Sequence, residues 1–199
     1  MLRYCCGIDE AGRGPLAGPV FAAAVVLGES GAQIAGIDDS KKLSARRREQ
    51  LAPLIKQHAQ AWAIASASAE EVDQLNILQA TMLAMFRAVD QLPVGTMKLI
   101  VIDGTQIPRD LKPWAASREI ELVAQPRADA DVREVGAASI LAKTARDAYM
   151  AQVHAQFPQY DFASHKGYGT AVHMAALAQY GPCVEHRRSF APVAQWRLL

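Results

Sequence analysis

The run Val20-Phe21-Ala22-Ala23-Ala24-Val25-Val26-Leu27 constrains this chain more than any other segment. It holds no polar side chain and reads as a strand buried in a sheet. It falls far short of the ~20 residues that a membrane span requires. A second apolar run, Leu2 to Ile8, precedes it and leads directly into Asp9-Glu10. Between the two lies a connection with Gly12, Gly14, Pro15 and Gly18, residues that turn the chain. The two runs are predicted to pair in the manner of a hairpin, with the first strand delivering its acids at its end.

The same arrangement rules against one reading of the glycines. A dinucleotide-binding turn needs a helix N-terminus behind it to hold the pyrophosphate. Here Pro15 and the apolar run continue as a strand. The glycines instead let the backbone come close to a ligand and leave N–H groups for phosphate or hydroxyl oxygens.

Downstream, strands and helices alternate. Gly28 to Gly36 reads as a loop or short strand, and Ser44 as the cap of a helix reaching about His58. Ala61 to Ser68 has strand character, Glu70 to Leu75 suits a short helix, and Ile77 to Gln91 is amphipathic at helical spacing through Leu78, Met82, Met85, Phe86 and Val89. Lys98 to Ile102 and Ile120 to Ala124 are compact strands; Val135 to Met150 and Ala171 to Tyr180 are helices. The expected class is α/β, a mixed sheet flanked by helices. Residues 1–156 form the expected main domain, and the less regular 157–199 a small helical part packed on it. With 199 residues, 51% of them apolar, the chain can bury a core without disulfides. Cys5, Cys6 and Cys183 are odd in number, and the adjacent pair points to opposite faces of a strand, so they read as small buried residues of a reducing compartment. No leader or spanning segment is read, and a cytoplasmic location is expected.

Acids follow three of the apolar segments: Asp9-Glu10, Asp103 and Asp129. Strand ends along one sheet edge can bring such residues together. Clustered carboxylates repel and stay ionised only with a cation between them. Oxygen donors favour Mg²⁺ or Mn²⁺, and no His/Cys spacing of a zinc site occurs. Each acid alone is also an ordinary turn former or cap, and Asp103-Gly104 is a common turn signal. A net charge of +1 gives no global field for nucleic acid, so such a partner would need local clusters. Those available are Lys41-Lys42, His165-Lys166 and His186-Arg187-Arg188 in loops, with Arg46-Arg47-Arg48 read as a solvated helix face. Tyr168, between two glycines, is placed either to stack on a base or sugar or to pack under its loop.

Six blocks together resemble ribonuclease HII. They are Asp9-Glu10-Ala11-Gly12-Arg13-Gly14-Pro15 with Asp39-Ser40-Lys41-Lys42-Leu43; Val101-Ile102-Asp103-Gly104; Gly136 to Lys143; His165-Lys166-Gly167-Tyr168-Gly169-Thr170; and His186-Arg187-Arg188-Ser189-Phe190. The resemblance runs from Gly7 to about Val193. It implies a ribonuclease H-like fold with a central mixed five-stranded sheet and a helical C-terminal part. It implies an endoribonuclease that cuts the RNA strand of RNA–DNA hybrids and incises 5′ to single ribonucleotides in duplex DNA. The catalytic and metal-binding set carried over is Asp9, Glu10, Asp103 and Asp129, with Asp131 as the competitor for the last position. Two Mn²⁺ or Mg²⁺ ions and products with 3′-hydroxyl and 5′-phosphate ends are expected. Gly12, Arg13 and Gly14 match the loop that reads the ribose 2′-hydroxyl, and Tyr168 the tyrosine on the adjoining sugar. Ser40, Lys42, Lys143 and Lys166 are candidate backbone contacts. The sequence departs from the family pattern at Thr105, at Pro126-Arg127-Ala128 and in the longer stretch between Asp103 and Asp129. A resolvase or a hybrid nuclease without ribonucleotide preference, and a non-catalytic nucleic-acid binder, are the alternatives. No obligate protein partner is read, and a monomer is expected.

Overall fold

The computed structural model describes residues 4–93 and 95–198; Leu2 and Arg3 of the first predicted strand, and Leu199, lie outside the described residues. β1 (Cys5–Ala11) and β2 (Val20–Val26) pair antiparallel, with Asp9 opposite Ala23 and Glu10 opposite Ala22. The first strand therefore runs through both acids rather than stopping at them, because pairing with β2 continues to Ala11.

One helical turn, α1 (Gly28–Gly31), replaces the loop or strand expected after β2. α2 (Ala45–His58) starts at Ser44, whose hydroxyl accepts the Arg47 N–H at 3.2 Å. β3 (Ala61–Ala67) returns antiparallel to β2. α3 (Ala69–Leu75) opens with a capping box between Ser68 and Glu71, and α4 (Ile77–Asp90) with the Asn76 side chain. β4 (Leu99–Asp103) and β5 (Glu121–Gln125) are parallel to β1, and the long stretch between them contains α5 (Leu111–Ala116). The short α6 (Ala128–Asp131) leads into α7 (Arg133–Gln156), which extends past the predicted helix at both ends. α8 (Phe162–His165), α9 (Ala171–Tyr180) and α10 (Ala191–Ala194) complete the chain.

The sheet order is β3-β2-β1-β4-β5, a mixed five-stranded sheet. Strand alternation divides its side chains between two cores. Cys6, Ile8, Ala22, Ala24, Ile100 and Ile102 meet Ala80, Ala84, Met85 and Val89 of α4. On the other face Ala23 and Val25 meet Ala137, Ala138 and Leu141 of α7 and Leu51 and Ile55 of α2. The apolar run Val20 to Leu27 is thus covered on both faces, as its lack of polar residues requires. Beyond α7, Leu16 and Ala17 of the β1–β2 connection are buried among residues of the C-terminal part, including Phe162, Leu177 and Val193. No helix among the described residues is long and apolar enough to cross a membrane.

Candidate active site

Parallel pairing puts Ile8 level with Ile102, so the residues that follow, Asp9 and Asp103, stand side by side on neighbouring strands. Asp129 arrives from a short helix rather than a strand end. After β5 the chain turns at Arg127 with φ 60°, and the Ala128 N–H donates to the Asp103 carboxylate at 2.8 Å. Carboxylate oxygens of Asp9, Asp103 and Asp129 come within 4.8 Å of one another. Gly7 makes this convergence possible. A side chain there would begin 2.1 Å from the Glu134 carbonyl carbon, so the first turn of α7 rests directly on β1.

Strand alternation sends Glu10 to the α4 side. There it lines a small crevice with Arg13, Thr81, Asp103 and Thr105, and Arg13 Nη1 stands 3.5 Å from its Oε1. Asp131 lies outside the cluster and accepts a hydrogen bond from Gln125 Nε2 at 3.2 Å.

The acids carry strong mutual strain. Burial, then the charge of Glu10, holds the Asp9 carboxyl well above the usual carboxylate range, and a hydrogen bond from Ser139 offsets part of this. Burial also raises Glu10 against the pull of Arg13. Asp129 is raised by burial and by Asp103. The cation nearest the cluster is Lys41, with Nζ 3.8 Å from Asp129 Oδ2. Burial works against the Lys41 charge, yet Asp9 and Asp129 outweigh it and raise its pKa. Two of the three clustered carboxylates are at most 5% exposed, and no His or Cys joins them. Such a set of hard oxygen donors, short of positive charge, fits a divalent cation of the Mg²⁺ or Mn²⁺ kind.

The glycine-rich loop lies beside the acids. Gly12 has φ +100°, and a side chain there would strike Arg146 Nε at 2.0 Å, so only glycine fits. A side chain on Gly14 would begin 3.6 Å from Cε1 of Tyr168, a residue 48% exposed rather than packed away. Loop and tyrosine therefore form one surface.

The remaining sequence candidates sit elsewhere. Ser40 is buried, its hydroxyl 2.7 Å from that of Ser139, beneath Asp9 rather than on the surface. Lys42 pairs with Asp38 at 3.2 Å, Lys143 with Asp147 at 2.5 Å, and Lys166 donates to the Ala163 carbonyl at 2.7 Å. Arg48, expected on a solvated face, donates to the carbonyls of Ser40 and Leu43 and so holds the turn that presents Lys41. His186 and Arg187 are buried and unavailable as a surface phosphate grip. Sequence reasoning missed Lys41 as a cation facing Asp129, Ser139 as a partner of Asp9, and Arg146 as a buried guanidinium. The only available signal was the position of Lys41 within the Asp39–Leu43 block.

Comparison with known proteins agrees with this geometry. The family model for ribonuclease HII matches residues 6–193. Ribonuclease HII 1 of Methylibium petroleiphilum is 55% identical over 192 residues, 96% of this chain and 92% of that protein. Among solved structures, the ribonuclease H2 of Pyrococcus horikoshii OT3 superimposes with a TM-score of 0.79 at 23% identity, over 98% of this chain and 97% of that one. The Mn²⁺ complex of Bst-RNase HIII superimposes with a TM-score of 0.69 at 18% identity, over 98% and 69%. These likenesses make the mixed sheet a ribonuclease H-like fold. With a match across almost its whole length and more than half its residues shared with a curated relative, the chain belongs to the ribonuclease HII family.

Proposed function

We propose that this protein is a metal-dependent endoribonuclease that hydrolyses the RNA strand of RNA–DNA hybrids and incises 5′ to single ribonucleotides in duplex DNA. The observation that carries the reading is the adjacency of two features. Three carboxylates converge within 4.8 Å, and the Gly12–Gly14 loop with Tyr168 forms a surface that starts three residues after Asp9. Asp9, Asp103 and Asp129 would hold divalent ions, with Glu10 completing the set from the other face. When bound, such ions supply a nucleophile at neutral pH and charge stabilisation for in-line displacement at phosphorus. Mn²⁺ is the ion present in the Bst-RNase HIII complex, and Mg²⁺ shares its preference for oxygen donors.

The chain's own residues supply position and selectivity. Backbone groups of Gly12, Arg13 and Gly14 meet the 2′-hydroxyl, the one group by which a ribonucleotide differs from its deoxy neighbours. Tyr168 offers an exposed ring face to the adjoining sugar. Lys41, on a turn held by Arg48, balances charge among the acids before substrate arrives. In-line attack of a water at phosphorus would expel the 3′-oxygen, so the ends would be a 3′-hydroxyl and a 5′-phosphate. The role fits removal of ribonucleotides from DNA in the cytoplasm. The test is an end-labelled duplex with one ribonucleotide, incubated with Mg²⁺, with Mn²⁺ and with EDTA. A single cut 5′ to the ribonucleotide with metal and none in EDTA is expected. Uncut duplex under all three conditions, alongside active cleavage of a full hybrid, would remove the ribonucleotide reading.

A further inference from the structure

The β1–β2 connection holds no helix or strand, yet six of its carbonyls accept hydrogen bonds from two buried arginines. Arg187, 0% exposed, donates to the carbonyls of Gly12 at 2.6 Å, Arg13 at 2.9 Å, Pro15 at 2.8 Å and Gly18 at 2.9 Å. Arg146 donates to those of Ala17 at 3.1 Å and Pro19 at 3.3 Å. Neither guanidinium makes an ion pair among the described residues. Burial, then repulsion from Arg146, brings Arg187 down to about 9, so it is still a cation at neutral pH. Buried guanidiniums whose hydrogen bonds all go to carbonyls, with the Phe190 ring and the charge of Asp73 as further support for Arg187, are a poor device for stability alone, since well-packed apolar residues serve that end at lower cost. What the guanidiniums do supply is direction.

A trans peptide fixes that direction. Its N–H points opposite to its C=O, and no cis bond occurs among the described residues. With the Gly12 and Arg13 carbonyls turned down onto Arg187, the N–H groups of Arg13 and Gly14 are turned up and outward. Neither donates to another group of the protein among the described residues. They lie on the surface shared with Tyr168.

Residue 186 governs the other half of that surface. The Cys183 N–H donates to His186 Nδ1 at 3.0 Å, which leaves the His186 proton on Nε2. That proton faces His173 Nε2 at 3.0 Å, and His173 Nδ1 then donates to the Tyr168 carbonyl at 2.9 Å. Every proton in this chain of bonds has one possible place. His173 and His186 are both buried, and His165 stacks on His173 with ring centroids 4.6 Å apart.

We infer that the consecutive pair His186-Arg187 positions ribose recognition. Arg187 aims the Arg13 and Gly14 N–H groups, and His186, through His173, sets Tyr168 against them. The inference rests on the ribonucleotide reading above and adds residues that never touch substrate.

The test uses three variants of the full chain, Arg187→Lys, His173→Phe and His173→Asn. Lysine keeps the charge but cannot fork to four carbonyls. Phenylalanine keeps the ring but loses the donor to Tyr168, and the asparagine amide restores a donor near the place of Nδ1. Two quantities are measured in Mg²⁺: kcat/KM on a duplex with one ribonucleotide, and the inhibition constant of the same duplex made wholly of DNA, which reports phosphate contacts alone. For Arg187→Lys and His173→Phe, kcat/KM is expected to fall by about tenfold or more while the inhibition constant stays within about threefold. His173→Asn is expected to recover most of the loss. Parallel changes in both quantities, unchanged kcat/KM, or failure of asparagine to rescue would each overturn the inference. If Arg187→Lys does not fold, the two His173 variants decide; if none folds, the pair is structural and the inference falls. Wild-type protein that cuts a full hybrid but not the single ribonucleotide would instead overturn the underlying reading, and this inference with it.

Discussion

Burial and the charge of Glu10 oppose ionisation of Asp9, so the side chain at the centre of the proposed metal site destabilises the metal-free protein. Asparagine has nearly the same shape and no charge. In EDTA, Asp9→Asn is expected to raise unfolding stability by roughly 1–2 kcal/mol in urea titrations, while metal-dependent cleavage falls about a hundredfold or more. The pH dependence carries the same sign. The folded pKa lies above the unfolded value, so this carboxyl's contribution is full below the unfolded pKa and is lost as pH rises through the folded one. Asp9→Asn should flatten that part of the wild-type profile. Asp131→Asn, outside the cluster, should keep cleavage within about threefold. The acids themselves were legible as residues that follow apolar runs. Their surroundings were less so. In Lys41-Lys42 nothing local says which lysine faces the acids, and Ser40 reads as a surface residue until its partner Ser139, 99 positions away, is in place.

β1 and α7 touch backbone to backbone at Gly7, with no side chain between them. Gly7→Ala would drive a methyl into the Glu134–Val135 peptide, and neither the strand nor a 24-residue helix can yield cheaply. The expected loss is about 3 kcal/mol in urea unfolding, with cleavage reduced because Asp129, just ahead of α7, shifts from Asp9. Elements long enough to show periodicity were readable from sequence: β2, α4 and α9 fall close to their predicted spans, and α7 contains its predicted span and extends it to Arg133 and Gln156. α1, α5 and α6 were not, because four to six residues make fewer than two turns and leave no pattern of burial. β1 outran its prediction because pairing with β2, not local preference, decides where a strand ends. The helix that carries Asp129 is one of those short elements, which is why its acid was expected at a strand end.

At the scale of the molecule, the C-terminal part is joined to the sheet through the β1–β2 connection and the buried histidines. His186 has His173, Cys183, Arg188 and the ring of Tyr160 around it. Burial, then His173, lowers it to about 4, below its ordinary 6.5. Its contribution to stability is therefore complete above 6.5 and is lost as pH falls toward 4, to a limit of about 3 kcal/mol. The raised carboxyls of Asp9, Glu10 and Asp129 pull the other way over acid pH. The measurement is thus the difference between wild type and His186→Phe in urea at pH 7.5 and pH 5, and the wild type should lose more on acidification. The buried arginine has a consequence in time. The Arg187 guanidinium meets the Gly12 carbonyl across 175 positions of chain, whereas all four acids lie within the first 129 residues. A chain emerging from the ribosome thus displays its acids for a matter of seconds before the residue that shapes the loop has been made. On the proposed reading, the acids are thus made first and the residue that would aim them comes last.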